Sequence, residues 1–212
     1  MKTQSMFPRM AACLGCAMLL ALPSGLRSQQ PSSPEIGYEV VGQVLNPSSS
    51  QSQQYGYLNL VPGIDRITTT PGGVVSELTA LFMFFNDTTT ERVINNGPIR
   101  VVDRTGTGAI YFDSGNSDFS NPNSFKKGTP IQSYTLRHQV VIDTSTGYFT
   151  TLFEITVTSA KTFQIDGKMY RLGHTGSVYR LNVSGKLTTQ APPSAYIAGA
   201  ADGPGADRLE NN

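Results

Sequence analysis

The feature that most constrains the fold is a pair of alternating segments joined by a short turn, at residues 131–159. Along 131–143 and 148–159, mainly apolar or aromatic side chains recur at every second position, the period that places them on one face of a β-strand. The four residues between the segments, Thr-Ser-Thr-Gly, favour a turn, so the two segments predict an antiparallel hairpin. No part of the chain sustains the spacing of an amphipathic helix.

The rest of the region 36–187 has the same character, with β-branched and aromatic residues dominant and turn residues between the segments. Short links favour a meander of neighbouring antiparallel strands, and closure removes exposed edges. The sequence therefore predicts an all-β fold, a single closed antiparallel β-barrel of about eight strands, with a β-sandwich as the alternative. The other predicted strands are 37–45, 55–61, a long strand over 74–85, 99–103 and 108–113 with a turn at 104–107, 162–165 and 168–172 about Asp166-Gly167, and a last strand over 177–188.

The two ends of the chain differ from this central domain. Residues 1–28 resemble a secretory signal peptide, because Lys2 and Arg9 precede an apolar run over 10–22 that Pro23 ends. That run is shorter than the about 20 apolar residues that span a bilayer. We therefore expect a secreted protein with no membrane anchor after cleavage. Residues 29–35 predict a polar lead-in, and 188–212, rich in Ala, Gly and Pro, predict a disordered tail.

Composition excludes several classes of function. Both cysteines, Cys13 and Cys16, lie in the predicted signal, so the mature domain has no disulfide and no thiolate site. The chain carries 16 Lys and Arg against 15 Asp and Glu, and the leader holds three of the basic residues and no acid, which leaves 13 against 15. This balance gives no basic stripe for nucleic acid. With 2 histidines in all, we expect no multi-histidine metal site and no cofactor.

The inward face of 131–143 supplies the candidate catalytic residues. Tyr134 and His138 are its polar exceptions, and such groups in a cavity can orient a ligand or transfer a proton. The alternative is a core histidine whose hydrogen bonds are satisfied within the fold. For 74–85 the better inward set includes Leu78 and Ala80. The remaining candidate ligand-binding residues of the interior are Leu136, Val140, Phe82, Phe84, Phe149, Phe153 and Tyr179.

Residues 114–130 form a long link without a strand pattern, and links of that length are often functional. Phe119 and Phe125 stand in it among polar residues. They predict a lid over the barrel mouth that contributes to ligand binding; the alternative is an ordered loop whose phenylalanines plug the barrel end. Asn86 and Asn182 begin the sequons Asn-Asp-Thr and Asn-Val-Ser, so both are candidate glycosylation sites in a secreted chain.

In layout, the chain resembles the small secreted barrels of the allene oxide cyclase and dirigent type. The resemblance covers residues 36–187 and is carried by the signal peptide, the sequons, the aromatic interior and the glycine-punctuated hairpins, including Gly147-Tyr148-Phe149 and Gly173-His174-Thr175-Gly176. It implies a cofactor-free site that binds a flexible apolar precursor and steers its cyclisation or coupling.

Together these observations predict a protein that binds a hydrophobic small molecule inside the barrel and promotes its cyclisation or isomerisation. The alternative is a non-catalytic secreted domain with a filled core that contacts a partner through its outer face. An apolar cavity of about 300 Å³ or more would favour the first function. Both functions are compatible with a homo-oligomer.

Overall fold

The computed structural model describes residues 36–112, 115–189 and 192–210. The predicted signal peptide and lead-in lie outside the described residues. Within them the chain is almost entirely β-strand, with one short 3₁₀ helix at Pro122–Lys126. The strands are β1 Ile36–Leu45, β2 Gln51–Leu60, β3 Phe82–Asn96, β4 Ile99–Phe112, β5 Thr129–Asp143, β6 Tyr148–Ala160, β7 Thr162–Ile165, β8 Lys168–Leu172, β9 Val178–Leu187, β10 Ala195–Asp202 and β11 Ala206–Leu209.

Eight of these strands form one closed barrel, in the order β1-β10-β9-β6-β5-β4-β3-β2. Every pairing around the ring is antiparallel. The prediction of a closed antiparallel barrel of eight strands is confirmed, and the β-sandwich alternative is wrong. Closure follows from the composition of the strands, since alternating apolar side chains need a common interior and each strand edge needs a partner.

Strand β10 closes the ring, which makes the predicted disordered tail over 188–212 wrong in its described part. Val44 of β1 and Leu187 of β9 both pair with Ala195, the first residue of β10. Alanine and glycine are poor strand formers, so the composition of this segment does not predict a strand. Small residues suit the position, because a Cβ at Gly199 would lie 2.0 Å from the carbonyl oxygen of Asn182 on β9.

Strands β3 and β4 also differ from the prediction. The segment 99–112 is one continuous strand, so the turn predicted at 104–107 is wrong and Arg104 lies within the sheet. The turn stands between β3 and β4, where Gly97 has a φ of 57°. The strand predicted over 74–85 begins only at Phe82, and Leu78, assigned inward, is 56% exposed.

Two predicted hairpins are confirmed. Strands β5 and β6 pair on either side of the Thr-Ser-Thr-Gly turn. Gln132 lies opposite Ala160 at one end of the pairing and Ile142 opposite Phe149 at the other. Strands β7 and β8 turn at Asp166-Gly167, where φ is 51° and 76°. Positive φ at both central residues is the geometry that favours Asp-Gly in two-residue hairpin loops.

A second sheet, of order β11-β8-β7, closes one end of the barrel. Phe163 of β7 packs against Phe82 and Phe112 of the barrel, with ring centroids 5.5 Å apart in both pairs. Tyr170 and Leu172 of β8 belong to the same buried core. This end of the interior is therefore filled by side chains.

The segment after β4 covers the outside of the barrel. Phe125 is fully buried and its ring centroid lies 5.3 Å from that of Tyr55 on the outer face of β2; Phe119 lies 5.0 Å from Phe125. Ala80, and Met83 and Phe85 of β3, belong to the same buried cluster. The prediction that Phe119 and Phe125 form a lid is therefore wrong, as is the alternative that they plug the barrel end.

Candidate functional site

The barrel interior holds a cavity of about 60 Å³ at the end opposite the β7-β8 sheet. The lining residues show this position. They come from those ends of β1, β5, β6, β9 and β10 that lie away from the β7–β8 hairpin. The lining side chains divide by chemistry into an apolar set and a polar set, which we call the apolar wall and the polar wall. The apolar wall consists of Val44, Val140, Ile142, Phe149, Phe153, Val183, Leu187, Ala195 and Ile197, and the polar wall of Asn46, Ser52, Gln54, Arg104, His138 and Thr151.

Most of the polar wall comes from β2, β4 and β5, where polar side chains lie opposite one another and opposite Thr88 and Thr90 of β3; Asn46 before β2 and Thr151 on β6 complete it. Ser52 pairs with Thr88, and Arg104 pairs with both Thr90 and His138. Directly opposed residues have Cβ atoms about 4.5–5.5 Å apart, so this register brings the groups together. The result is a band of hydrogen-bonding groups inside an otherwise apolar barrel.

His138 is the most deeply buried titratable group of this wall. It is 3% exposed, and its ring stands edge-on to Phe153 with centroids 4.5 Å apart. Neither ring nitrogen makes a hydrogen bond with any described residue. The pKa of His138 is lowered to about 3, mainly by burial and also by the charge of Arg104, while Asp103 opposes the shift. The imidazole is therefore neutral near pH 7, with one donor and one acceptor free for a ligand.

Arg104 places a cation beside this neutral imidazole. Its Nε donates to Thr90 Oγ1 at 3.3 Å, its only hydrogen bond to a described residue, and no carboxylate of the described chain lies within ion-pair distance. Burial lowers the pKa of Arg104, and the charge of Arg100 adds to the effect. A partly buried cation without a counter-ion is costly for the fold, so its presence here needs an explanation.

Gln54 is fixed by its neighbours. Its Nε2 donates to Ser52 Oγ at 2.8 Å and to Thr88 Oγ1 at 3.3 Å, while its Oε1 has no partner among the described residues. Thr88 Oγ1 in turn donates to the carbonyl oxygen of Ser52. The hydroxyl of Thr88 is thus already used, whereas Arg104, His138 and the Gln54 oxygen keep free hydrogen-bonding capacity towards the cavity.

The structure does not bring the two predicted catalytic residues together. Tyr134 does not line the cavity; its hydroxyl donates to Asn86 Oδ1 at 2.7 Å deeper in the barrel. Burial raises the pKa of Tyr134 well above its ordinary value. Asn86 is itself only 2% exposed, so its prediction as a glycosylation site is wrong for the folded protein. Asn182 is exposed on the outer face of β9, and its glycosylation stays a prediction.

The predicted ligand-binding residues divide in the same way. Val140, Phe149 and Phe153 line the cavity. The others belong to the filled part of the interior: Leu136, Phe82, Phe84 and Tyr179. Sequence reasoning missed Ser52, Gln54 and Arg104, because the first two precede the predicted start of β2 and the third was placed in a turn. Period-two alternation continued through both segments would have found them.

Among the described residues, no group of three or more His, Cys, Asp or Glu is placed to hold a metal ion. No helix that could cross a membrane occurs in the described part of the chain. No protein-family model, curated protein or solved structure matches this sequence. The resemblance to allene oxide cyclase and dirigent barrels therefore stays a prediction based on layout.

Proposed function

We propose that this protein is a secreted binding protein that holds a small, mainly apolar molecule in the cavity at the open end of its barrel. The observation that carries the proposal is the buried imidazole of His138, which faces an apolar wall and has no hydrogen-bond partner in the described chain. An unpaired polar group inside a protein costs about 1–3 kcal/mol. A ligand that pairs with the imidazole removes this cost, and the apolar wall supplies the remaining affinity.

The cavity is smaller than the about 300 Å³ that would favour a large ligand chamber, because side chains fill most of the barrel, and its size limits what enters it. Ligand pockets for drug-sized molecules measure about 300–1,000 Å³, whereas this cavity measures about 60 Å³. We therefore propose that one end of the ligand, a few non-hydrogen atoms, occupies the cavity and that the rest lies in the mouth near Asn46 and Leu187. This is narrower than the large apolar chamber that the sequence suggested.

The geometry supports binding over acid–base catalysis. An imidazole with a pKa of about 3 is a weak base near pH 7, and Tyr134 is bonded elsewhere. Cyclisation or isomerisation of the ligand, where the protein promotes it, would rest on holding one conformer and excluding water. His138 would then orient the ligand through a hydrogen bond.

The test is a titration of the purified protein with an environment-sensitive apolar dye, followed by displacement with small apolar compounds. Thr151→Met tests the location, because Thr151 lines the cavity and a flexible methionine side chain fills irregular gaps. Thr150→Met is the matched control, since Thr150 lies on the outer face of the same strand. We expect stoichiometric, displaceable binding that Thr151→Met weakens and Thr150→Met leaves unchanged.

Absence of displaceable binding, in a protein that melts cooperatively, would refute this function. It would favour the alternative, a non-catalytic domain that acts through its outer face. Equal loss of binding in both methionine variants would place the dye on the outer surface and refute the cavity as the site.

A further inference from the structure

The polar wall of the cavity carries a positive charge that the binding of an apolar molecule does not use. We propose that the ligand is a small apolar carboxylic acid whose carboxylate binds Arg104 and the ring N–H of His138. This inference rests on the proposed function and names the chemical class of its ligand.

The first step concerns the charge of Arg104. The nearest acidic residue in sequence, Asp103, points to the outer face, where its carboxylate accepts hydrogen bonds from Arg92 at 2.8 Å and from Gln139 at 3.0 Å. It is therefore committed to other donors. Arg104 keeps its two terminal NH₂ groups without a hydrogen bond to a described residue. An anion from outside the chain is the partner that this guanidinium lacks.

The second step concerns the arrangement of free donors. Arg104 and His138 are direct cross-strand partners on β4 and β5, and both line the cavity. A guanidinium offers parallel N–H groups that match the two oxygens of a carboxylate. A neutral imidazole adds one more N–H. Two donors of this kind from adjacent strands fit an oxyanion better than a neutral hydroxyl, which presents a single acceptor oxygen.

The third step concerns the apolar remainder of the ligand. Phe149, Val183 and Ile197 line the same cavity from β6, β9 and β10. They are suited to an alkyl or aryl group attached to the carboxylate. The cavity of about 60 Å³ suits the head group and the first few carbons, so a short-chain acid fits the site and inorganic anions leave the apolar wall uncovered.

The experiment compares hexanoate with hexan-1-ol at pH 7 by displacement of the dye and by calorimetry. Because hydrogen bonds to charged groups are stronger than those between neutral groups, we expect hexanoate to bind about tenfold more tightly. Arg104→Met, which keeps the length of the side chain, should abolish that preference. Arg104→Lys, which keeps the charge, should retain part of it and serves if the methionine variant does not fold.

Arg137→Met is the matched control, because Arg137 neighbours His138 in sequence but lies exposed on the outer face, 3.7 Å from Glu154. It should keep the preference for hexanoate. Equal affinity for the acid and the alcohol, with both weakened by Thr151→Met, would overturn the carboxylate assignment and leave the proposed function standing. Binding of neither compound would overturn both. Two other results are decisive: the preference for hexanoate survives Arg104→Met, or Arg137→Met removes it as well. Either result would assign that preference to surface charge and overturn the inference.

Discussion

The burial of His138 predicts a measurable dependence of stability on pH. The pKa of its imidazole is lowered to about 3 in the folded protein, against about 6.5 in the unfolded chain. As pH falls below 6.5 the unfolded chain binds a proton that the folded protein does not, so the free energy of unfolding falls. The stability that the neutral form contributes is complete above pH 6.5 and is lost progressively down to pH 3.

The magnitude follows from the pKa difference. Each pH unit within this window changes the free energy of unfolding by about 1.4 kcal/mol. Between pH 7.5 and 4.5 the loss is about 3 kcal/mol, nearly all of it set by protonation of the unfolded imidazole. For an m-value of about 2 kcal/mol/M in urea, this moves the unfolding midpoint by about 1.5 M. The pH dependence of carboxylates elsewhere adds to this in every variant and cancels in a difference.

The assay is urea unfolding of the natural protein and of His138→Leu at both pH values. We expect the leucine variant to lose about 3 kcal/mol less on acidification. At pH 7.5 it should be as stable as the natural protein or more so, because it replaces an unpaired buried polar group with an apolar one. Leu136→Ala, two residues away on the same inward face, is the control. Its free energy of unfolding should be about 2–5 kcal/mol below that of the natural protein, by the same amount at both pH values.

Identical pH dependence in the natural protein and His138→Leu would refute the reasoning. It would mean that the imidazole of His138 has the same pKa in the folded and the unfolded protein. Water would then reach the imidazole, and the burial on which the shift of its pKa depends would be wrong.

Three further predictions concern the barrel itself. Tyr134→Phe should lower the free energy of unfolding by about 1–3 kcal/mol in urea, because it leaves the buried Asn86 Oδ1 without its donor. A chain ending at residue 188 lacks β10, so it should show no cooperative melt in calorimetry and should aggregate through the freed edges of β1 and β9. Folded protein from a glycosylating host should carry no glycan at Asn86 by peptide mass spectrometry, since its side chain is buried.

The sequence predicts best those parts of the fold that depend only on residues close together in the chain. Asp-Gly strongly favours a two-residue hairpin turn, and β7 and β8 pair around Asp166-Gly167. The β5–β6 hairpin follows from alternation on both sides of one turn, which fixes strand, register and inward face together. No distant contact is needed for either prediction.

Glycine misleads where its cause lies on another strand. Gly106 suggests a turn at 104–107, and Gly108 directly follows that predicted turn, yet both stand inside β4. A Cβ at Gly106 would lie 2.1 Å from the carbonyl oxygen of Asp87, and one at Gly108 would lie 2.1 Å from Asn86 Oδ1. The glycines thus reflect close approach between β3 and β4, a reason that only the assembled barrel supplies.

The same limit explains why the cavity was only half predicted. Alternation within the predicted strands identifies Val140, Phe149 and Phe153, whereas Gln54 precedes the predicted second strand and Arg104 lies in the predicted turn at 104–107. These two break the pattern of an apolar interior, and the fold bears the cost of an unpaired amide oxygen and a cation without a counter-ion in the described chain. Consistent patterning specifies a fold, and departures from it concentrate at functional sites. The residues least predictable from the fold are therefore the ones that carry the proposal for a carboxylate ligand.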